Sequence, residues 1–384
     1  MKKFAEFTKN VLTDDYGGIL HAIITSKAPT GLFLSQNEQH AVAIATNLKN
    51  AGINLQHIIV INKSILPQNI IRGGVELGVD FINLLDIPKD TKGIQYVFSP
   101  EFDLATPGLL DIMMQNNIRL IELQDSQRNN FFRQMFLEHL TEIYDVYKAL
   151  DKSGREIYEA YWRGKISGRM EAYRYASHEQ YLLAGFLPVP GDVLIDGGAF
   201  DGMTAREFAL MGSKVYAFEL DGKNYEKCCT MAEESGFTAE NMGLSDKKST
   251  IKYSSGGASS YINDNGQETA ELIDIDTYAY EKNLQRVDFI KLDVEGAEME
   301  ALRGSAATIS KFKPKLAVCL YHKLEDLWQI PLYIKELRSD YEFSMRHYAN
   351  DVRANFNPKY KQLIETSGIS PFYKTMWELV LYAK

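Results

Sequence analysis

The run VLIDGGAFDGMT, residues 193–204, sets Gly197, Gly198 and Gly202 behind a short apolar stretch that ends on Asp196. VLID reads as a buried strand. Glycines after a strand let a ligand lie against bare backbone at the start of the next helix, here TAREFALMG. Geometry alone would admit a phosphate, yet the spacing is not G-x-G-x-x-G, and the Asp196 carboxylate beside the cradle repels phosphate and welcomes an ammonium group. The next apolar run, KVYAFEL, carries Glu219 at its carboxyl tip, where an acid of a βαβ unit accepts hydrogen bonds from both hydroxyls of a ribose. These groups describe a ribose-bearing, phosphate-free cation with an amino-acid tail, and S-adenosyl-L-methionine fits that description.

A second set of reactive side chains stands further along. FIKLD ends on Asp293, with Glu295 and Glu298 behind it, and KLAVCLYH ends on His322. In open α/β sheets ligands sit outside the carboxyl ends of the strands, so these residues belong at the ligand edge. Methyl transfer from a sulfonium has an excellent leaving group, and the protein has to align an acceptor lone pair and take one proton. His322 suits that proton, with Asp293 or Glu295 orienting its ring. A strand-end histidine satisfied by backbone would read the same way. Asp293, Glu295 and His322 could also ligate magnesium or manganese, but a clear pair of acids at the fifth strand end is missing, so a divalent metal is not the favoured reading.

Two alternations of strand and helix position these residues. Between residues 31 and 123 the runs GLFLS, HIIVIN, FINLLD, QYVFS and RLIEL recur with helical stretches between them, which predicts a parallel sheet covered by helices. Ser35, Gln36 and Asn37 follow the first run where a dinucleotide fold would carry glycines, so this half reads as a Rossmann-like scaffold without its usual cofactor. A largely helical bridge follows, and PVPGD punctuates its end. Its stretch YEAYWRGKISGRMEAYRY would suit a diphosphate-bearing acceptor through its arginines, although solvated helix faces look alike, and the bridge is read as a linker. The expected division is a Rossmann-like domain at 1–125, a helical linker at 126–188, and a second α/β domain at 189–384.

VLIDGGAFDGMT, VYAFELD, NMGLSDKKSTIKY, GASSYI, VDFIKLDVEGAEMEALRG, YEFSMRHY and ELVLYA, in that order, resemble the FkbM-type methyltransferases over roughly residues 177–384. The glycine turn alone is a weak signal; joined to KLDVEGAE it is specific. The resemblance implies a class I methyltransferase Rossmann-like sheet with an antiparallel last hairpin, and O-methylation that uses S-adenosyl-L-methionine. Carried over by position, it implies that Asp196, Gly198, Ala199 and Gly202 form the turn beneath the methionine part and that Glu219 holds the ribose. It places Ser245 and Asp246 near adenine. The glycines could serve packing alone, and Asp246 could simply cap a turn. The family often acts on sugar hydroxyls, so a small polyhydroxylated acceptor, a sugar or nucleotide-sugar, is expected. The long stretch 349–375 between the last two strands reads as a lid, an acceptor wall or a surface excursion.

Composition bounds the alternatives. The chain has 384 residues, 45% hydrophobic and 24% charged, enough for two domains with proper cores. A net charge of −9 disfavours a nucleic-acid partner. The 3 cysteines have neither metal-ligand nor disulfide spacing. No apolar run reaches membrane-span length, and MKKFAEFTKN lacks the apolar core of a secretion signal, so a cytoplasmic protein is expected. A nicotinamide oxidoreductase and a non-catalytic scaffold that keeps the cofactor fold are the other two readings of the same pattern. Oligomeric state is silent in the sequence.

Overall fold

The computed structural model describes residues 2–13, 15–35, 38–87, 93–100, 106, 109–123, 126–254, 261–262, 266–353 and 372–384. It divides into two compact units. One comprises Met1–Leu140, Glu156–Tyr175 and Ala349–Met376, and the other Thr141–Arg155, Ala176–Tyr348 and Trp377–Lys384. The helical bridge is shared between them. No described helix is long and apolar enough to cross a membrane.

The first unit is built on five parallel strands: β1 (Thr30–Leu34), β2 (Leu55–Val60), β3 (Asp80–Asn83), β4 (Tyr96–Ser99) and β5 (Arg119–Glu122), in the order β3-β2-β1-β4-β5. Side chains alternate between two core layers. Leu32, Leu34, Ile58 and Val60 enter one, and Phe33, Ile59 and Ile61 the other. A parallel sheet covered on both faces needs apolar residues at every position, which is why these runs read as continuous rather than alternating. Gln36 and Asn37 lie outside the described residues.

The second unit carries the glycine turn. Its main sheet comprises β6 (Val193–Gly197), β7 (Lys214–Phe218), β8 (Thr238–Glu240), β13 (Phe289–Leu292), β14 (Lys315–Cys319), β15 (Phe343–Arg353) and β16 (Phe372–Ala383). The strand order is β15-β16-β14-β13-β6-β7-β8. β16 runs antiparallel to β14, with Leu316 opposite Ala383 and Cys319 opposite Val380, whereas β6, β7, β8, β13 and β14 pair in parallel. This is the class I methyltransferase-type Rossmann-like sheet with its reversed last strand. Ile290, Leu292, Leu316, Val318 and Leu381 are fully buried, each contributing about 1.5–3 kcal/mol relative to an exposed side chain.

Two helices flank the turn. Met203–Leu210 is held to β13 by Phe208 against Phe289, ring centroids 5.5 Å apart. Gly222–Ser235 starts at Asp221, whose carboxylate accepts from the Lys223 and Asn224 amides, and ends at Gly236 with φ 79. Such an N-cap is worth about 1 kcal/mol. A second sheet of β9 (Gly243–Leu244), β10 (Ser249–Ser254), β11 (Tyr261–Ile262) and β12 (Glu268–Ile273), in the order β11-β10-β12-β9, is absent from the sequence expectations. Its strands are short and largely polar, as in STIKYS and ETAELI, so they carry little of the apolar signal that reveals a strand. Most of GASSYI, residues 257–262, and most of the stretch 349–375 lie outside the described residues.

Candidate active site

A cavity of about 680 Å³ opens at the carboxyl ends of β6, β7 and β13, and Gly198, Glu219, Leu244, Ser245, Asp293 and Glu295 are among the residues that line it. That volume matches small-molecule sites. The glycine turn forms one wall. At Gly198, φ is +73 and a Cβ would sit 1.7 Å from the Asp293 carbonyl oxygen, so the bare position admits the backbone leaving β13. Gly202, with φ +86, packs against Phe237, Met231 and Cys228 and does not line the cavity.

Four amides of this turn, and that of Met203 after it, are occupied. Gly198 N and Ala199 N both donate to Phe218 O, at 3.0 and 2.9 Å, and Gly202 N donates to Ala199 O at 2.8 Å. Phe200 N donates to Glu219 Oε2 at 2.8 Å and Met203 N to Asp201 Oδ1 at 3.1 Å. A phosphate cradle needs such donors free.

Asp196 is fully buried and stands apart from the cavity lining. The register of β6 with β13 sets Lys291 opposite it, and the two side chains form an ion pair at 2.9 Å. Lys291 Nζ also donates to the carbonyls of Gly197 and Gly198, at 3.1 and 2.7 Å, and lies 5.4 Å from the centre of the Tyr181 ring. The ammonium beside Asp196 therefore belongs to the chain itself. Burial pushes the Asp196 carboxyl above its ordinary value against the pull of Lys291. For Lys291, burial opposes the charge, but Asp196 and Asp293 outweigh it and hold the ammonium above its ordinary value.

Glu219 follows β7 and lines the cavity. Its two oxygens accept from Phe200 N and Asp221 N, both at 2.8 Å, which fixes the carboxylate and leaves each oxygen further lone pairs. Burial raises its pKa, while the two backbone donors act the other way. Beyond it, Leu220, Met242, Leu244 and Leu272 supply an apolar wall with Ser245 at its edge. Asp246 is exposed and does not line the cavity.

The polar floor gathers residues from four places in the chain. Asp293 accepts from Tyr181 Oη at 2.9 Å and from Tyr321 Oη at 3.0 Å. Burial acts against its charge, but Lys291, His322 and the two phenols hold its pKa below the ordinary value. Glu378, on β16, accepts from Gln180 Nε2 at 3.0 Å, and burial beside Asp293 pushes it up to about 7. Glu295 faces the cavity with a backbone φ of 53, a left-handed conformation rare for a non-glycine residue; burial raises its carboxyl to about 7.

His322 lies behind this floor, with its side chain 10% exposed. Nδ1 is 2.9 Å from Glu298 Oε1, and Nε2 is 3.5 Å from Glu295 and 3.8 Å from Asp293. Burial alone would lower its pKa; Glu298, then Asp293 and Glu295, push it up to about 9. The structure thus brings His322, Asp293 and Glu295 together and adds Glu298 as the carboxylate nearest the ring. Gln180, Tyr181, Lys291, Tyr321 and Glu378 were not singled out from sequence. Lys291 and Glu378 did leave a signal, a lone charge inside the apolar strands FIKL and MWELVLYA. The tyrosines left none, because aromatic residues are equally at home in a core.

A model of the methyltransferase FkbM domain matches residues 196–356. Among solved structures, a methyltransferase FkbM from Methylobacillus flagellatus KT is similar over 99% of this chain and 98% of its own, with a TM-score of 0.60 at 15% identity, and shares the fold. An rRNA methylase from Streptococcus thermophilus aligns with 54% of this chain and 97% of its own, with a TM-score of 0.31 at 11% identity. The precorrin 8W decarboxylase of Methanobacterium thermoautotrophicum aligns with 51% of this chain and 82% of its own, with a TM-score of 0.29 at 15% identity. No curated protein matches the chain.

Proposed function

We propose, from the match of residues 196–356 to a model of the methyltransferase FkbM domain, that the chain moves a methyl group from S-adenosyl-L-methionine to a hydroxyl of a sugar or other small polyhydroxylated acceptor. The observation that carries this reading is the pairing of two surfaces in one cavity. Glu219 and the apolar wall beside it suit a nucleoside, and the acid-rich floor of Asp293, Glu295 and Glu378 lies on the other side. Glu219 would hold the ribose through its remaining lone pairs, and Leu244, Leu272 and Ser245 would receive the adenine. The occupied amides of the glycine turn argue against a pyrophosphate, and so against a nicotinamide dinucleotide.

Bound S-adenosyl-L-methionine supplies an electrophilic methyl carbon: the acceptor oxygen forms the new C–O bond while the C–S bond breaks and its electron pair goes to sulfur. The chain's own residues position the acceptor hydroxyl and remove its proton. Geometry favours Glu295 for that proton, because its carboxylate faces the cavity, whereas His322 sits behind it. Asp293 is locked by Tyr181 and Tyr321 and orients rather than accepts. A cation with an amino-acid tail would meet the carboxylates of the floor in the place that sequence spacing assigned to Asp196.

Calorimetry of the whole chain with S-adenosylmethionine, S-adenosylhomocysteine and NAD side by side tests the reading. Heat from the two sulfur nucleosides with none from NAD is the expected result. Binding of NAD alone would overturn it.

A further inference from the structure

We propose that Lys323 is the partner of the cofactor's α-carboxylate and so selects a nucleoside that carries an amino-acid tail; the assignment rests on the methyl-transfer reading. Such a tail holds two opposite charges on one carbon, with the carboxylate carbon about 2.5 Å from the ammonium nitrogen. Where the ammonium meets the acids of the floor, the carboxylate is brought beside the same acids. Five carboxylates line the cavity: Glu219, Asp293, Glu295, Glu300 and Glu378. A further negative charge among them is repelled unless a cation stands close by.

Among the described residues that line the cavity, Lys323 is the only lysine or arginine. Lys291, the other ammonium near the floor, stands apart from the lining and is committed to Asp196 at 2.9 Å and to the carbonyls of Gly197 and Gly198 at 3.1 and 2.7 Å. Lys323 has no such commitment. The contact its ammonium makes among the described residues is loose, 3.9 Å from Glu300 Oε2, with both side chains part-exposed, and such a pair adds little.

The backbone beneath Lys323 gives its stem a seat. Gly296, in the turn after β13, has φ +95, and a Cβ there would sit 3.3 Å from Lys323 Cε and 3.9 Å from its Cγ. The four-carbon stem therefore lies across the bare glycine, next in sequence to Glu295, one of the acids assigned to the tail's ammonium. Packing an apolar stem while the charged head stays wet is a common arrangement for lysine. Here it leaves the head beside the cavity, where a bound carboxylate exchanges a loosely held neighbour for a direct charge-assisted hydrogen bond.

Calorimetry of the whole chain with S-adenosylhomocysteine and with 5′-methylthioadenosine tests the proposal. The second compound keeps the adenosine and the thioether and lacks the amino-acid tail. Lys323→Gln removes the charge and keeps a stem to lie on Gly296, whereas Lys323→Ala removes both. Each variant should weaken S-adenosylhomocysteine binding about fivefold to twentyfold, as for a charge-assisted hydrogen bond at a partly wet site, and leave 5′-methylthioadenosine binding at the parent value. An S-adenosylhomocysteine affinity that is unchanged or tighter, an equal loss for the two compounds, or a loss with Lys323→Ala alone overturns the proposal. Failure of the underlying reading looks different. A parent chain that takes up neither compound removes the cofactor and Lys323's role with it, while a parent and variants that bind S-adenosylhomocysteine equally well remove Lys323's role alone.

Discussion

Replacing Lys291 with methionine keeps the volume of the side-chain stem and deletes the charge that faces Asp196. In the native unit both partners are buried, at 3% and 0% side-chain exposure, and stand 2.9 Å apart. Removing one member of such a pair leaves a carboxylate without compensation, which costs about 3–5 kcal/mol. With a urea slope of about 2.5–3 kcal/mol per M, the unfolding midpoint of this unit should fall by about 1–2 M at neutral pH. The loss must depend on pH. The native Asp196 pKa already lies above its ordinary value because burial outweighs Lys291. A carboxyl raised on folding contributes stability that is fully present below its unfolded pKa of about 3.9 and is lost as pH rises through the folded value. Without Lys291 the folded value rises further, so the lost stability should be small near pH 4 and grow toward pH 8. Asp196→Asn combined with Lys291→Met removes both charges and should recover most of the loss. Urea titrations of the parent, the single variant and the pair at several pH values read this directly. A Lys291→Met midpoint within about 0.3 M of the parent at pH 7, a loss equal at pH 4 and pH 8, or a double variant no better than the single one would refute the reasoning.

Glu219→Ala should weaken S-adenosylhomocysteine binding about tenfold to a hundredfold, as expected for a lost hydrogen bond to a charged group, with calorimetry as the readout. Gly198→Ala places a Cβ 1.7 Å from the Asp293 carbonyl at a φ of +73; the second unit should lose its cooperative melting transition while the first unit keeps its own. Tyr382→Phe removes the acceptor of the Tyr181 amide at 3.0 Å and the partner of Tyr348 Oη at 2.6 Å, and should cost about 1–3 kcal/mol in urea denaturation. Glu378→Gln keeps a side-chain oxygen for Gln180 and removes the charge from the floor. Because the ammonium of the amino-acid tail meets this floor, S-adenosylhomocysteine affinity should fall severalfold, with calorimetry as the readout.

Read one residue at a time, VLID, KVYAF, FIKL and KLAVC already determined the parallel strands of the second unit, because a strand buried on both faces must be apolar throughout. They also determined that Glu219 and Asp293 fall at the sheet's carboxyl edge, since each directly follows such a run, whereas His322 lies beyond its strand and behind the cavity floor. Local pattern carries no information about partners across the sheet. The register of β6 with β13 decided that Asp196 meets Lys291 rather than a ligand's ammonium group. The antiparallel return of β16 brought Glu378 to the same floor as Asp293, and a short segment ahead of β6 delivered Gln180 and Tyr181 to them. Those neighbours are far apart along the chain, and only closure of the sheet makes their charges and hydroxyls answer one another.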